Sequence, residues 1–199
     1  MLDWISTNIV EIIGTLSGFI FLYFEIKQSK WLWPVGLFSA LMYIYVFFMA
    51  KFYADMGLQF YYVFISIYGW FHWSRSKGES ATELPVTALK IGLFFKLLLA
   101  SLFIYIAISF ILVNYTDSPL PYWDSFTTAL SIVATWMLAR KILEQWLVWV
   151  IVDAVSLGLY LYKELYPTAI LFAFYTILAV YGYFQWKKDL AKADAIESK

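Results

Sequence analysis

Long apolar segments alternate with short polar ones along the whole chain. The hydrocarbon core of a bilayer is about 30 Å thick, so a helix that crosses it needs about 20 mostly apolar residues. Seven segments approach or reach that length, some only with flanking residues, and they cover residues 4–24, 31–50, 56–73, 89–115, 123–139, 145–162 and 165–186. The fifth is the weakest, because it is short and rich in Ser and Thr. The pattern predicts an all-α polytopic membrane protein with seven transmembrane helices.

Composition agrees with this class and removes several functions. Hydrophobic residues make up 63% of the 199 residues and charged residues 14%, with a mean hydropathy of +0.72, whereas soluble chains are nearer half apolar and a quarter charged. The formal net charge is zero, so no basic excess is available to bind nucleic acid. With no cysteine and a single histidine, we expect no disulfide, no metal site and no cofactor.

Basic residues are divided unequally between the two sides of the predicted bundle. One side has only Lys51 and Lys163. The other side has eleven, namely Lys27, Lys30, Arg75, Lys77, Lys90, Arg140, Lys141, Lys187, Lys188, Lys192 and Lys199. Cytoplasmic loops carry the excess of Lys and Arg, so we expect the N-terminus outside and the C-terminus in the cytoplasm.

The chain resembles itself at an offset of 113 residues. The offset pairs Trp33 with Trp146, Tyr62 with Tyr175, Tyr68 with Tyr181, Gly69 with Gly182, Phe71 with Phe184 and Trp73 with Trp186. We therefore predict a three-helix repeat at 1–75, a linker with the fourth helix at 76–117, a second repeat at 118–188 and a cytoplasmic tail at 189–199. One intervening helix makes both copies enter the membrane in the same direction, a 3+1+3 parallel repeat, and such transporters bind substrate near the midplane between the halves.

Two tryptophans and a carboxylate form a stripe on the predicted sixth helix. At about 100° per residue, Trp146, Trp149 and Asp153 lie within roughly 60° of one another. A carboxylate at this depth is costly and normally faces the bundle interior or a wet cavity, and indole faces suit a flat or cationic ligand. We interpret the stripe as one wall of a solute pathway. No catalytic constellation accompanies it, so an enzyme is not expected.

The candidate site differs between the two repeats. At the offset of 113, Asp153 corresponds to Ala40, Trp149 to Gly36 and Gln59 to Phe172. Residues that are the same in both copies indicate a structural scaffold. Polar and bulky residues that occur in a single copy indicate a binding site for an asymmetric ligand.

Several long motifs together resemble the Pnu family of bacterial vitamin transporters. They are WPVGLFSA, KFYADMGLQFYY and SIYGWFHW in the first half, and WDSFTTALS, the WxxWxxxD of Trp146, Trp149 and Asp153, LYLYKELYPTAIL and VYGYFQW in the second. The resemblance implies a SWEET-like fold of seven helices, a homotrimer in the inner membrane, and facilitated diffusion of an unphosphorylated vitamin that cytoplasmic kinases then trap. Known members carry nicotinamide riboside, thiamine or riboflavin.

The resemblance also implies roles for particular residues. Its binding wall is the WxxW pair followed by Asn in riboside carriers or Asp in thiamine carriers, so Asp153 favours thiamine, with nicotinamide riboside as the alternative. A carboxylate would attract a thiazolium, although the pyridinium of the riboside is also a cation. On the third helix Gln59 and Tyr62 correspond to a stretch that lines the site, and the repeat equivalents Trp33 and Tyr175 complete the candidate set.

Other roles for these residues stay open from sequence alone. The tryptophans could be packing or interfacial residues, Asp153 could make a structural hydrogen bond, and Gln59 could join helices. Glu11 and Asp124 lie at the outer ends of equivalent helices, where they could cap the helix or line a vestibule that gathers cations.

Overall fold

The computed structural model describes residues 16–50, 53–74, 84–162, 164 and 166–197. The candidate vestibule residue Glu11 lies outside the described residues. So do Lys51, Arg75, Lys77, Lys163 and Lys199, which entered the charge count.

The described chain is helical, as the apolar segments predicted. The helices are α1 (Leu16–Ile26, its described part), α2 (Leu32–Ala50), α3 (Tyr53–Ser74), α4 (Ile91–Tyr115), α5 (Pro121–Ala139), α6 (Gln145–Tyr162) and α7 (Tyr166–Glu197). Three helical stretches in the described part are both long and apolar enough to cross a membrane by themselves, and these are Ile91–Tyr115, Gln145–Tyr162 and Ala169–Lys192. The chain is therefore a multi-pass membrane protein with seven helices, whereas their 3+1+3 arrangement stays a prediction.

Helix α7 continues beyond the predicted seventh span. The apolar segment ends at Trp186, yet the helix runs on to Glu197. Its last turns are rich in Ala, Lys, Asp and Glu, which are compatible with a solvated helix, and Lys192 lies 3.1 Å from Asp189 in an i,i+3 ion pair. The residues that we predicted as a tail are thus mostly a polar extension of the helix.

Four hydroxyl side chains of α5 form hydrogen bonds to the backbone of their own helix. The hydroxyls of Ser125, Thr127, Ser131 and Thr135 each donate to the carbonyl four residues earlier, at 2.6 to 3.1 Å. A hydroxyl bonded in this way presents no unpaired polar group to an apolar environment. The Ser and Thr content that weakened the prediction of this span is therefore compatible with a membrane helix.

The chain divides into two compact units, residues 1–84 and 85–199. In the first unit α2 packs on α3, and in the second α4 packs on α5, α5 on α6, and α6 on α7. The predicted domain limits after residues 75, 117 and 188 stay predictions.

The connection between α1 and α2 and the one between α5 and α6 share one backbone structure. Six hydrogen bonds of the first recur 113 residues later in the second. In the first connection the bonded pairs, with the N–H donor named first, are Lys27 to Tyr23, Gln28 to Glu25, Ser29 to Phe24, Leu32 to Ser29, Trp33 to Lys30 and Val35 to Trp31. In the second connection the equivalent pairs are Arg140 to Trp136, Lys141 to Leu138, Ile142 to Met137, Gln145 to Ile142, Trp146 to Leu143 and Val148 to Glu144.

The same connections also share an unusual backbone conformation. Gln28 has φ 54° and its equivalent Lys141 has φ 51°, values in the left-handed region that non-glycine residues adopt uncommonly. The offset found in the sequence thus relates local backbone structure as well as residue types.

An extended segment before α4 pairs with the second of these connections. Thr87 forms an isolated parallel bridge with Ile142: its N–H donates to the carbonyl of Lys141, and its carbonyl accepts from the N–H of Leu143, both at 2.9 Å. The N–H of Leu89 donates to Glu144 Oε2 at 2.8 Å. The segment that leads into α4 is thereby fixed to the start of α6, which carries the candidate site.

Candidate functional site

The candidate stripe lies on the buried face of α6. The buried residues of this helix are Gln145, Trp146, Val152, Asp153 and Ser156, which fall within an arc of about 120° at 100° per residue. Leu147 and Ile151, on the other side, are exposed and suit contact with lipid. The polar residues Gln145, Asp153 and Ser156 all lie on the buried face, which packs on α5 and α7.

Asp153 is buried on this face, with 7% of its surface exposed. The structure gives its side chain no hydrogen bond or ion pair within the described part of the chain. A buried carboxylate without a partner is costly. The position therefore calls for a positive or hydrogen-bonding group, and a ligand would supply one.

Trp146 is a packing residue of the second unit. It is fully buried, and its ring meets that of Trp186 edge to face, with centroids 5.6 Å apart and planes at 87°. The far edge of its indole lies over Gly182, where a Cβ would be 2.6 to 2.7 Å from three ring carbons. Of the roles left open from sequence, this geometry favours packing for Trp146.

Trp33 has the same surroundings in the first unit. Its ring meets Trp73 at 5.5 Å and 90°, it is buried, and it lies so close to Gly69 that any side chain there would overlap the indole. The pairs that matched in sequence therefore form the same interlocked group in each unit. Glycine is required at both positions because a helix and an indole approach closely there.

Trp149 is placed differently from Trp146. It is partly exposed, whereas Trp146 is fully buried. Its Nε1–H, like those of Trp33 and Trp146, is buried without a partner in the described residues. Its repeat equivalent is Gly36, so the second unit has an indole where the first has no side chain. A large aromatic group with an unused donor, one turn from Asp153, suits a ligand that offers both a ring and an acceptor.

The remaining candidate residues lie on α3 and α7. Gln59 and Tyr62 are half-buried on α3 of the first unit, and the ring of Tyr62 lies 5.6 Å from that of Tyr61. Tyr175 on α7 of the second unit is half-buried, and its ring lies 5.6 Å from that of Phe172. Asp153, Trp149 and Tyr175 thus belong to one unit, and Gln59 and Tyr62 to the other.

Asp124 lies in the first turn of α5. Its Oδ2 accepts a hydrogen bond of 2.6 Å from the hydroxyl of Ser118 in the preceding loop. A carboxylate in a first turn is favoured by the helix dipole, and the bond to Ser118 ties the loop to the helix. The N-cap residue of α5 is Leu120, and no side chain forms a cap hydrogen bond there, so both the capping role and the vestibule role of Asp124 stay predictions.

Lys141 and Gln145 are among the buried polar residues that sequence reasoning did not single out. Lys141 entered the sequence analysis only in the charge count, but only 2% of it is exposed, and Gln145 is fully buried. The equivalent of Gln145 in the first unit is Leu32, which is also fully buried. That exchange of a polar for an apolar residue was visible in the repeat comparison and could have marked the position. No group of three or more His, Asp or Glu side chains that could hold a metal is found in the described segments.

The chain is similar in sequence to several known transporters. The chain is 25% identical to the nicotinamide riboside transporter PnuC of Escherichia coli, covering 89% of this chain and 84% of that protein. It is 26% identical to the protein of the same name from Neisseria mucosa, covering 88% and 71%. It is 24% identical to the riboflavin/roseoflavin transporter RibM of Streptomyces davaonensis, covering 88% and 83%.

A solved structure and a family model complete the comparison. The crystal structure of the vitamin B3 transporter PnuC superposes with a TM-score of 0.73 at 24% identity, covering 93% of this chain and 83% of that one, which shows that the fold is shared. The family model described as nicotinamide mononucleotide transporter matches residues 8–188. Since that match takes in almost all of the sequence, the chain belongs to the nicotinamide mononucleotide transporter family.

Proposed function

We propose that this chain is a vitamin transporter and that its substrate is nicotinamide riboside. Family membership supports transport, and the relatives from Escherichia coli and Neisseria mucosa, which are named for this riboside, support the substrate. These names favour the alternative from sequence over thiamine, which we had placed first. The single observation that carries the proposal within the structure is a buried, unpartnered Asp153 on the inner stripe of α6.

The residues around Asp153 suit a flat cation. Its carboxylate would offset the positive charge of the pyridinium, and that interaction is strengthened where water is excluded. Trp149 offers a π face to the ring, and its unused Nε1–H can donate to a ligand oxygen. Tyr175, in the same unit, is proposed to add a hydrogen bond, and Trp146 to support the site by packing. Gln59 and Tyr62 remain substrate-binding candidates of the first unit, in which Trp33 is a packing residue.

Thiamine is the second candidate, and one observation favours it. The acidic residue at position 153 is Asp, not the Asn that the resemblance associates with riboside carriers. A carboxylate can accept a hydrogen bond from an aminopyrimidine amine, and it attracts a thiazolium. Binding of the two vitamins to one preparation therefore decides between them.

The wider organisation is proposed from the resemblance and from the internal repeat. The two three-helix repeats predicted from sequence would move against one another to give alternating access. Transport would be facilitated diffusion across the bacterial inner membrane, with the C-terminus in the cytoplasm. The chain would form a homotrimer, and a cytoplasmic kinase would trap the vitamin without binding the transporter.

Calorimetry on the purified protein tests the substrate. Nicotinamide riboside should bind more tightly than thiamine or riboflavin, and the reverse order would replace it by the tighter ligand. Asp153→Ala should weaken binding of a cationic vitamin at least about tenfold, the equivalent of about 1.4 kcal/mol. Asp189→Asn, which removes a carboxylate from the polar extension of α7, is the matched control and should leave affinity unchanged.

Transport itself is tested in liposomes. Purified protein should equilibrate intact labelled riboside across the vesicle membrane. Equal uptake by vesicles with and without protein would contradict the proposal, and a chemically altered product would indicate an enzyme instead. Unchanged riboside affinity in Asp153→Ala would remove Asp153 from the site while leaving transport to be judged by the vesicle assay.

A further inference from the structure

Next to α2 in the first unit, the space beside position 36 is filled from a neighbouring helix. A Cβ on Gly36 would lie 3.0 Å from Cε2 of Phe21 on α1 and 3.3 Å from the hydroxyl of Ser66 on α3. The phenyl ring of Phe21 therefore occupies the volume that a side chain at position 36 would need. At the depth of position 36, the large side chain comes from α1, and α2 contributes no side chain.

In the second unit the distribution of bulk is reversed. The residues 113 positions later are Ala134 on α5, Trp149 on α6 and Ala179 on α7. Ala134 and Ala179 have 0% and 2% of their surfaces exposed. Each unit thus has one large and two small residues at these three positions, and the large one is on the first helix of the repeat in one unit and on the second helix in the other.

The two units are similar enough locally for this comparison. The connections that precede α2 and α6 share six backbone hydrogen bonds. One turn earlier on the same helices, Trp33 and Trp146 have the same glycine and tryptophan neighbours. Positions 36 and 149 therefore have equivalent backbone surroundings.

We propose that Ala134 is a positioning residue for the ligand-binding indole: its small side chain leaves the volume in which Trp149 lies. A ring at position 134 and an indole at position 149 would compete for the same space, as a ring at 21 excludes a side chain at 36. The ligand part of this proposal rests on the proposed function, whereas the packing part does not.

The packing part is tested by exchanging the two residues. Ala134→Phe should overpack the slot and Trp149→Gly should empty it, and each should lower the melting temperature in detergent by about 4 °C or more. The double variant, which reproduces the Phe and Gly pair of the first unit, should recover at least half of the larger loss. Ala129→Phe, at another buried alanine of α5, is the control. Its loss in melting temperature should not become smaller when Trp149→Gly is added. Additive losses in the exchanged pair would overturn the proposal.

The positioning part is tested by binding in a graded series at position 134. Ala134→Gly should keep wild-type affinity for nicotinamide riboside, Ala134→Val should lose several-fold, and Ala134→Phe at least about tenfold, measured well below each melting temperature. A residue with only a structural role would change the melting temperature and leave affinity constant, and that result would overturn the positioning role. If the wild-type chain bound neither riboside nor thiamine, the proposed function would fail while the stability exchange still stood on its own.

Discussion

Gly182→Ala places a methyl group against the indole of Trp146. The new Cβ would lie 2.6 Å from Cη2 and 2.7 Å from Cζ2 and Cζ3, whereas carbon atoms prefer about 3.5–4.0 Å. The ring would have to retreat by roughly 1 Å. It is fully buried and has Trp186 against it, so it has no open space into which it can move.

The expected cost follows from two opposing contributions. Overpacking a core typically costs about 1–3 kcal/mol, while replacing glycine by alanine inside a helix gains up to about 1 kcal/mol. Gly158→Ala on α6 is the matched control, because a Cβ there has nothing within 4 Å and only the helical gain remains. The free energy of unfolding should therefore be about 1–3 kcal/mol lower for Gly182→Ala than for Gly158→Ala.

Unfolding in mixed micelles by sodium dodecyl sulfate, followed by circular dichroism, measures this difference. The three contacted carbons belong to the six-membered ring of the indole, and a phenyl ring at position 146 would not extend as far. Gly182→Ala should therefore cost much less in a Trp146→Phe background, and a double-mutant cycle gives that coupling. Equal stability of the two alanine variants, or an undiminished cost in the Trp146→Phe background, would refute the packing argument.

Three further changes follow from the same structure. Gly69→Ala should lower the melting temperature relative to Gly57→Ala, where a Cβ meets nothing within 4 Å, and a thermal scan that ranks them equally would contradict the shared packing of the two units. Glu144→Ala should cost about 1–3 kcal/mol in detergent unfolding because the N–H of Leu89 loses its charged acceptor, and Glu144→Gln should cost less because its amide oxygen can still accept. Lys192→Ala should change stability by less than about 0.5 kcal/mol in the same assay, because its ion pair is exposed, and a larger loss would indicate contacts beyond that pair.

Much of the fold could be predicted because membrane thickness limits helix length. The sixth helix has the predicted limits, 145–162, and the second begins one residue later than predicted, at Leu32. Charged and polar residues interrupt the apolar runs at these points, and the backbone must be helical between them to satisfy its own hydrogen bonds. The apolar run predicted the seventh span but not the helix beyond it, which reaches Glu197, because hydropathy does not report a polar helix.

The site was harder to predict because sequence identity between repeats does not separate packing from binding. Trp33 and Trp146 entered the candidate set through their type and their match, and the structure shows both fixed against glycine and tryptophan. The position that differs, Trp149, is partly exposed, whereas Trp33 and Trp146 are buried. Burial of Lys141 and Gln145 and the bridge at Thr87 depend on contacts between segments distant in the chain, which no local pattern reports.

The length of α7 has a practical consequence for locating the C-terminus. At about 1.5 Å per residue, the eleven residues that follow Trp186 and reach Glu197 form a helical extension about 17 Å long. A fluorophore attached near Glu197 would stand clear of the headgroups, within reach of a soluble quencher. Fluorophores that are quenched in sealed vesicles mark C-termini on the outside, and those quenched only after the vesicles are made leaky mark C-termini in the lumen. The fraction of molecules in each orientation can therefore be measured before uptake.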